Sequence, residues 1–177
     1  MRTLRTAAGF TLIEMLVVVF IIGVLAAGVL LSISLTGNDH ELQTESERVA
    51  ALMNYARDVA ELQTRELGLL CTPRGYEFLA FNPRTQLWAG IDEDDALRAR
   101  TLPAGLTLSL KVEARPIVFT PPVEADEKKP HIMIFSNGDL SSFELTLARD
   151  GSPRSVTVGI DPKGQIATLE PVGGKTS

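Results

Sequence analysis

Few residues of this 177-residue chain have the types and spacing that chemistry requires. Glu14 is the most conspicuous, because it stands alone in the stretch GFTLIEMLVVV, from Gly9 to Val19. A carboxylate near the middle of a membrane costs roughly 2.5–3.5 kcal/mol on insertion scales, so such residues usually pair or mark a function. The blander reading is that Glu14 snorkels to the headgroups from near a helix end. Asp92-Glu93-Asp94-Asp95 is the only dense carboxylate cluster in the chain. Calcium takes several oxygen ligands, but the Gly and distal Glu of an EF-hand loop are missing, so the cluster reads as a solvated acidic loop. His131 has no Cys or second His beside it, which argues against a zinc site. His40 reads as an exposed polar residue, and Cys71 as a small buried residue near a helix end rather than a nucleophile. No nucleophile elbow is present. Nothing here makes a case for an enzyme, and no cofactor or metal is expected.

The elements that must position Glu14 are legible in the hydropathy. Met15 to Leu31 carries no charge, and only Ser32 and Ser34 interrupt the run before Leu35. A helix needs about 20 residues, at about 1.5 Å each, to cross a bilayer core. The expectation is a single transmembrane span with a soluble domain after it. Arg2 and Arg5 precede the span, whereas residues 36–67 hold seven acids against three arginines and residues 68–177 fourteen acids against twelve bases. This asymmetry predicts a cytoplasmic N-terminus and an exported C-terminal bulk. The exported part has no electrostatic footprint for nucleic acid. A cleaved secretory signal is the alternative reading of the N-terminus, with Leu25-Ala26-Ala27-Gly28 as a small-residue cleavage mimic. The apolar run is longer than the roughly 7–15 residues of a signal core, so a retained anchor is the better reading. Cys71 is the only cysteine, which excludes an intramolecular disulfide.

No proline occurs between Met1 and Thr72, so one helix from about Phe10 to Leu67 is sterically allowed, with Gly37-Asn38-Asp39 as a place to bend. Beyond that point Leu42, Val49, Leu52, Met53, Ala56, Val59, Ala60 and Leu67 recur at helical spacing and predict a buried stripe. Glu41, Glu45, Glu47, Arg48, Arg57, Asp58, Glu61 and Arg65 make the solvated face. After Leu67-Gly68 turn residues recur every eight to twelve positions. Strands are expected at 76–81, 87–89, 106–112, 117–119, 132–135, 143–147, 155–160 and 166–169. Asn82-Pro83, Asn137-Gly138, Asp150-Gly151 and Asp161-Pro162-Lys163-Gly164 supply turns. Thr120 to Pro130, with three prolines and a charge cluster, reads as an exposed mobile loop, and Val172 to Ser177 as a frayed tail. The fold class is α+β: a long N-terminal helix, half transmembrane and half amphipathic, packed on a C-terminal antiparallel β domain of two sheets.

MRTLRTAAG followed by FTLIEMLVVVFIIGVLAAGVL closely resembles the class III signal of type IV pilins and type II secretion pseudopilins. Further along, Ile134-Phe135-Ser136-Asn137-Gly138, Phe143 to Leu147, Ser155 to Val158 and Gly164-Gln165-Ile166 resemble the H-type minor pseudopilin domain. The resemblance implies a pilin-like fold and five segments: a leader cleaved from residues 1–9, a transmembrane and assembly helix at 10–35, an amphipathic helix at 36–67, a periplasmic β domain at 68–171 and a tail at 172–177. It implies that prepilin peptidase cuts between Gly9 and Phe10, that the Phe10 amine is N-methylated, and that Glu14 fixes the register of assembly. The implied location is the bacterial inner membrane, single-pass, with the C-terminal domain in the periplasm. The implied partners are other minor and major pseudopilins and the peptidase, with the secretin and exported substrates in reach of the pseudopilus tip. A minor type IV pilin of the FimT/FimU kind, serving pilus assembly or DNA uptake, is the alternative. The absence of paired cysteines and of a basic stripe weighs against it.

Overall fold

The computed structural model describes residues 12–120 and 128–169, and the side chains of these except 26–39. A single helix among the described residues, α1 (Leu12–Gln63), contributes to two compact units, one ending at His40 and one beginning at Glu41. Gly37, Asn38 and Asp39, where a bend is expected, are assigned to the helix, and their side chains lie outside the described residues.

In the second unit α1 lays Leu42, Val49, Met53, Ala56 and Ala60 into the core, with Leu52 and Val59 at its margin. The spacing is that of one helix face. Glu47, Asp58 and Glu61 lie on the other face, all three exposed. Glu45 is not solvated: it is 7% exposed, paired with Arg48 one turn on, so the solvated face is interrupted there. Ser46 beside it is fully buried, its hydroxyl donating to the Gln43 carbonyl at 2.7 Å.

The helix stops at Gln63, four residues short of the expected Leu67. Thr64 takes a left-handed conformation (φ 49°), while the Arg65 N–H still donates to the Ala60 carbonyl at 3.0 Å. From Leu67 onward the regular structure among the described residues is all strand. The chain runs through β1 (Leu67–Thr72), β2 (Gly75–Asn82), β3 (Leu87–Gly90), β4 (Arg100–Thr101), β5 (Leu106–Val112), β6 (Arg115–Pro116), β7 (Ile132–Ile134), β8 (Phe143–Arg149), β9 (Ser155–Ile160) and β10 (Ile166–Leu169). Leu67-Gly68-Leu69-Leu70-Cys71 is apolar without alternation, the pattern of a strand covered on both faces, and β1 is central in its sheet. Cys71 therefore belongs to this strand and not to a helix end.

The first sheet has the order β3-β2-β1-β7, with β4 pairing on β2 as well, and the second the order β10-β9-β8-β5-β6. Every pairing among these strands is antiparallel. Leu67, Leu69, Cys71, Tyr76, Phe78, Ile132 and Ile134 from the first sheet share one core with Leu106, Leu108, Leu110, Phe143, Leu145, Leu147 and Val158 from the second. β5 shows why the register holds: Leu106, Leu108 and Leu110 alternate with Thr107, Ser109 and Lys111, so a one-residue slip would turn the apolar set outward. The β9–β10 turn is held by Asp161, whose Oδ1 accepts from the N–H groups of Lys163 and Gln165 at 2.8 and 2.9 Å.

Residues 117–119, expected as a strand, are not one. β5 instead turns through Glu113 and Ala114 (φ 50° and 63°) into the two-residue β6, beyond which a single hydrogen bond, from the Ile117 N–H to the Leu110 carbonyl at 2.9 Å, continues the pairing. Ile117 and Phe119 still pack against the core while Val118 points away. Residues 121–127 of the expected loop and 172–177 of the expected tail lie outside the described residues. Lys128, in the last part of that loop, is held: its Nζ donates to both oxygens of Glu77 at 2.8 and 2.9 Å.

Candidate functional site

Glu14 lies in the first turn of α1 and is exposed, as is every large apolar residue from Leu12 to Leu25. Leu12 is 84% exposed and Phe20 68%. A helix apolar around its whole circumference is normally covered by other protein or by lipid. Gly9 and Phe10 lie outside the described residues, as do the side chains of 26–35 in the expected span. Among the described residues no helix is long and apolar enough to cross a membrane.

The acidic loop, Cys71 and His131 all belong to the second unit. In the acidic loop after β3, Asp94 accepts from the Tyr55 hydroxyl at 2.8 Å and from the Ala96 N–H at 2.8 Å, and Asp95 pairs with Arg98. The hydrogen bond to Asp94 raises the Tyr55 phenol above its ordinary value. Among the described residues no group of three or more His, Cys, Asp or Glu side chains is placed to hold a metal ion. The Cys71 thiol is buried, and burial pushes its titration far up, which makes it a poor nucleophile. Burial likewise pushes the Tyr76 phenol up to about 12, with the Arg100 guanidinium opposing. His131 is half-buried, and its Nδ1 accepts the Cys71 main-chain N–H at 3.1 Å. These groups converge on no common reacting atom.

Sequence reasoning missed the polar contacts that tie α1 to the β domain. Arg149 of β8 pairs with Glu41, Asn54 Nδ2 donates to the Ile166 carbonyl at 2.7 Å, and Arg57 donates to the Gly164 carbonyl at 2.9 Å. The partners are about a hundred residues apart in the chain, and the two carbonyls belong to backbone, so residue type alone carries no signal for them.

Two family models match the chain: type II transport protein GspH over residues 45–164, and the prokaryotic N-terminal methylation motif over residues 4–30. The type II secretion system protein H of Pseudomonas aeruginosa is 34% identical over 153 residues, 84% of this chain and 87% of that protein. The protein of the same name from Aeromonas hydrophila is 30% identical over 175 residues, 92% and 93%. Among solved structures, the minor pseudopilin EpsH from the type II secretion system of Vibrio cholerae aligns with a TM-score of 0.64 at 17% identity, covering 75% of this chain and 97% of that one. The solution structure of Escherichia coli GspH aligns with a TM-score of 0.56 at 16% identity, covering 78% and 94%. These likenesses show a shared pilin-like α+β fold.

Proposed function

The chain belongs to the GspH family of type II transport proteins, the H-type minor pseudopilins of type II secretion, and from that premise we propose how it works. Prepilin peptidase cuts between Gly9 and Phe10, and methylation of the new Phe10 amine keeps its positive charge. Residues 10–35 anchor the mature chain in the inner membrane, with the β domain in the periplasm. The protein then enters a short pseudopilus beside other minor and major pseudopilins, at the tip, where it meets the secretin and exported substrates. Its work is packing and register, with no bond made or broken. Glu14 meets the Phe10 amine of a neighbouring subunit, where opposite charges at about 4 Å attract far more strongly than in water.

The observation that supports this reading most is the stretch of α1 from Leu12 to Leu25: an apolar surface exposed on every side with one acid in the first turn. Neighbouring helices and lipid are what cover such a surface. The test begins with the N-terminus of the mature protein, which is expected to be N-methylated Phe10. A mature chain still starting at Met1 removes the pilin-type mechanism. Glu14→Ala is expected to be processed normally but recovered with its partner pseudopilins at reduced levels. Co-assembly at wild-type levels would remove the register role of Glu14 while leaving the processing intact.

A further inference from the structure

The β1–β7 ladder pairs Leu67 with Ile134, Gly68 with Met133 and Leu69 with Ile132, and the His131 N–H donates to the Leu69 carbonyl at 2.8 Å. One step further the ladder runs out. Pro130 precedes His131, and Cys71 needs an acceptor for its main-chain N–H at the point where the second chain leaves the sheet. The acceptor is the His131 side chain, whose Nδ1 takes that N–H at 3.1 Å. The same ring lies against Phe119, centroids 5.5 Å apart. One imidazole thus joins three pieces of chain: β1, the segment after β6, and the approach to β7.

We propose that His131 is an acid-sensitive clasp that holds the approach to β7, residues 130–131, on the first sheet. The chemistry is a competition for one lone pair. Neutral imidazole with its proton on Nε2 leaves Nδ1 free to accept, whereas imidazolium carries protons on both nitrogens and can only donate. Protonation therefore orphans the buried Cys71 N–H, and an unmet buried donor is costly. It also places a charge in a half-buried setting against Phe119. Among the described residues, the groups around the ring offer no compensation. The titratable group of β1 is the Cys71 thiol, which stays neutral. The segment after β6 contributes Phe119, and the histidine's own segment contributes Lys128 and Lys129, both cationic. The acid of β2 on that side, Glu77, is already held by Lys128.

The sign follows from burial, which lowers the folded-state value of His131 below its ordinary 6.5. The unfolded or unclasped chain then binds the proton more readily, so the clasp is fully present above about pH 6.5 and is lost as pH falls. The ion pair of Lys128 with Glu77 is a second tie that this proton does not touch, so the opening is local to residues 130–131 and Cys71.

Amide hydrogen exchange on the full-length protein in detergent, corrected for the intrinsic pH dependence of exchange, is the direct test. Protection at Cys71 and His131 is expected to hold above about pH 6.5 and to be lost progressively from there to about pH 5, while protection in β8 and β9 holds. In His131→Asn, which offers a side-chain oxygen that does not titrate, protection at Cys71 is expected to be independent of pH. Wild-type protection at Cys71 unchanged across that range overturns the proposal, whatever the variant does. So does an equal loss in His131→Asn.

Discussion

Gly68 lies on a strand that is covered on both sides, and a side chain there has no room. A Cβ built on it falls inside the van der Waals shell of the Pro130 ring and 2.9 Å from the Ile132 carbonyl oxygen. Backbone on one side and a rigid ring on the other leave little to yield. Gly68→Ala is expected to lower stability by about 1–3 kcal/mol, read as a fall in the denaturation midpoint with an unchanged m-value. Thr64 argues in the other direction. It is a β-branched residue at φ 49°, where left-handed backbone costs about 1–2 kcal/mol. Glycine relieves that cost and gives back roughly 0.5–1 kcal/mol in chain entropy. Thr64→Gly is therefore expected to raise stability by up to about 1 kcal/mol, and a fall in the thermal midpoint would show that its side chain has a role the geometry does not reveal. Glu14 needs no such balance: its role is tested by assembly, since the side chain is exposed in the isolated chain.

Among the elements, α1 has two tasks. Its stretch from Glu41 to Gln63 is ordinary amphipathic helix, with small Ala56 and Ala60 letting it come close to the sheets and Met53 filling the space between. Polar tethers from Glu41, Asn54 and Arg57 reach three different places in the second sheet and its turns, so sliding of the helix along its axis would break all of them together. Its stretch from Leu12 to Leu25 has no such stripe and buries none of its large apolar side chains. The first is suited to staying put within the chain, and the second to contacts beyond it. The sheets follow the same logic of coverage. β5 and β8 alternate because one face is solvated, whereas β1 does not because both faces are covered.

For the whole molecule, the unit from Glu41 holds its own core, drawn from the helix and both sheets, and among the described residues that core includes none before Leu42. A fragment beginning at Glu41 is accordingly expected to melt in one cooperative transition, and non-coincident transitions by near- and far-ultraviolet circular dichroism would contradict it. The same fragment is expected to give no shift of DNA in a low-salt gel, because its net charge is negative and the sequence offers no basic stripe. Much of this is legible in the residues themselves. A charge-free run, a lone acid near its start and two arginines ahead of it carry the likeness to the N-terminal methylation motif, and β5, β9 and β10 have the bounds their alternation and turns predict. Hydropathy and turn chemistry are local, so a linear reading recovers them. The same linear reading makes the start of β1 the tail of a helix, puts Glu45 in solvent and makes Ile117 to Phe119 a strand. Each of those depends on what lies opposite in space: β2 and β7 beside β1, the Arg48 pairing and the cover over Glu45, and how far β5 runs alongside the segment after Arg115. The contact at His131 is of the same kind, since it joins residues 60 positions apart. Local pattern determined which residues are apolar, charged or turn-forming, and tertiary structure decided which of them meet, because burial and hydrogen-bond partnership are properties of neighbours that only the fold brings together.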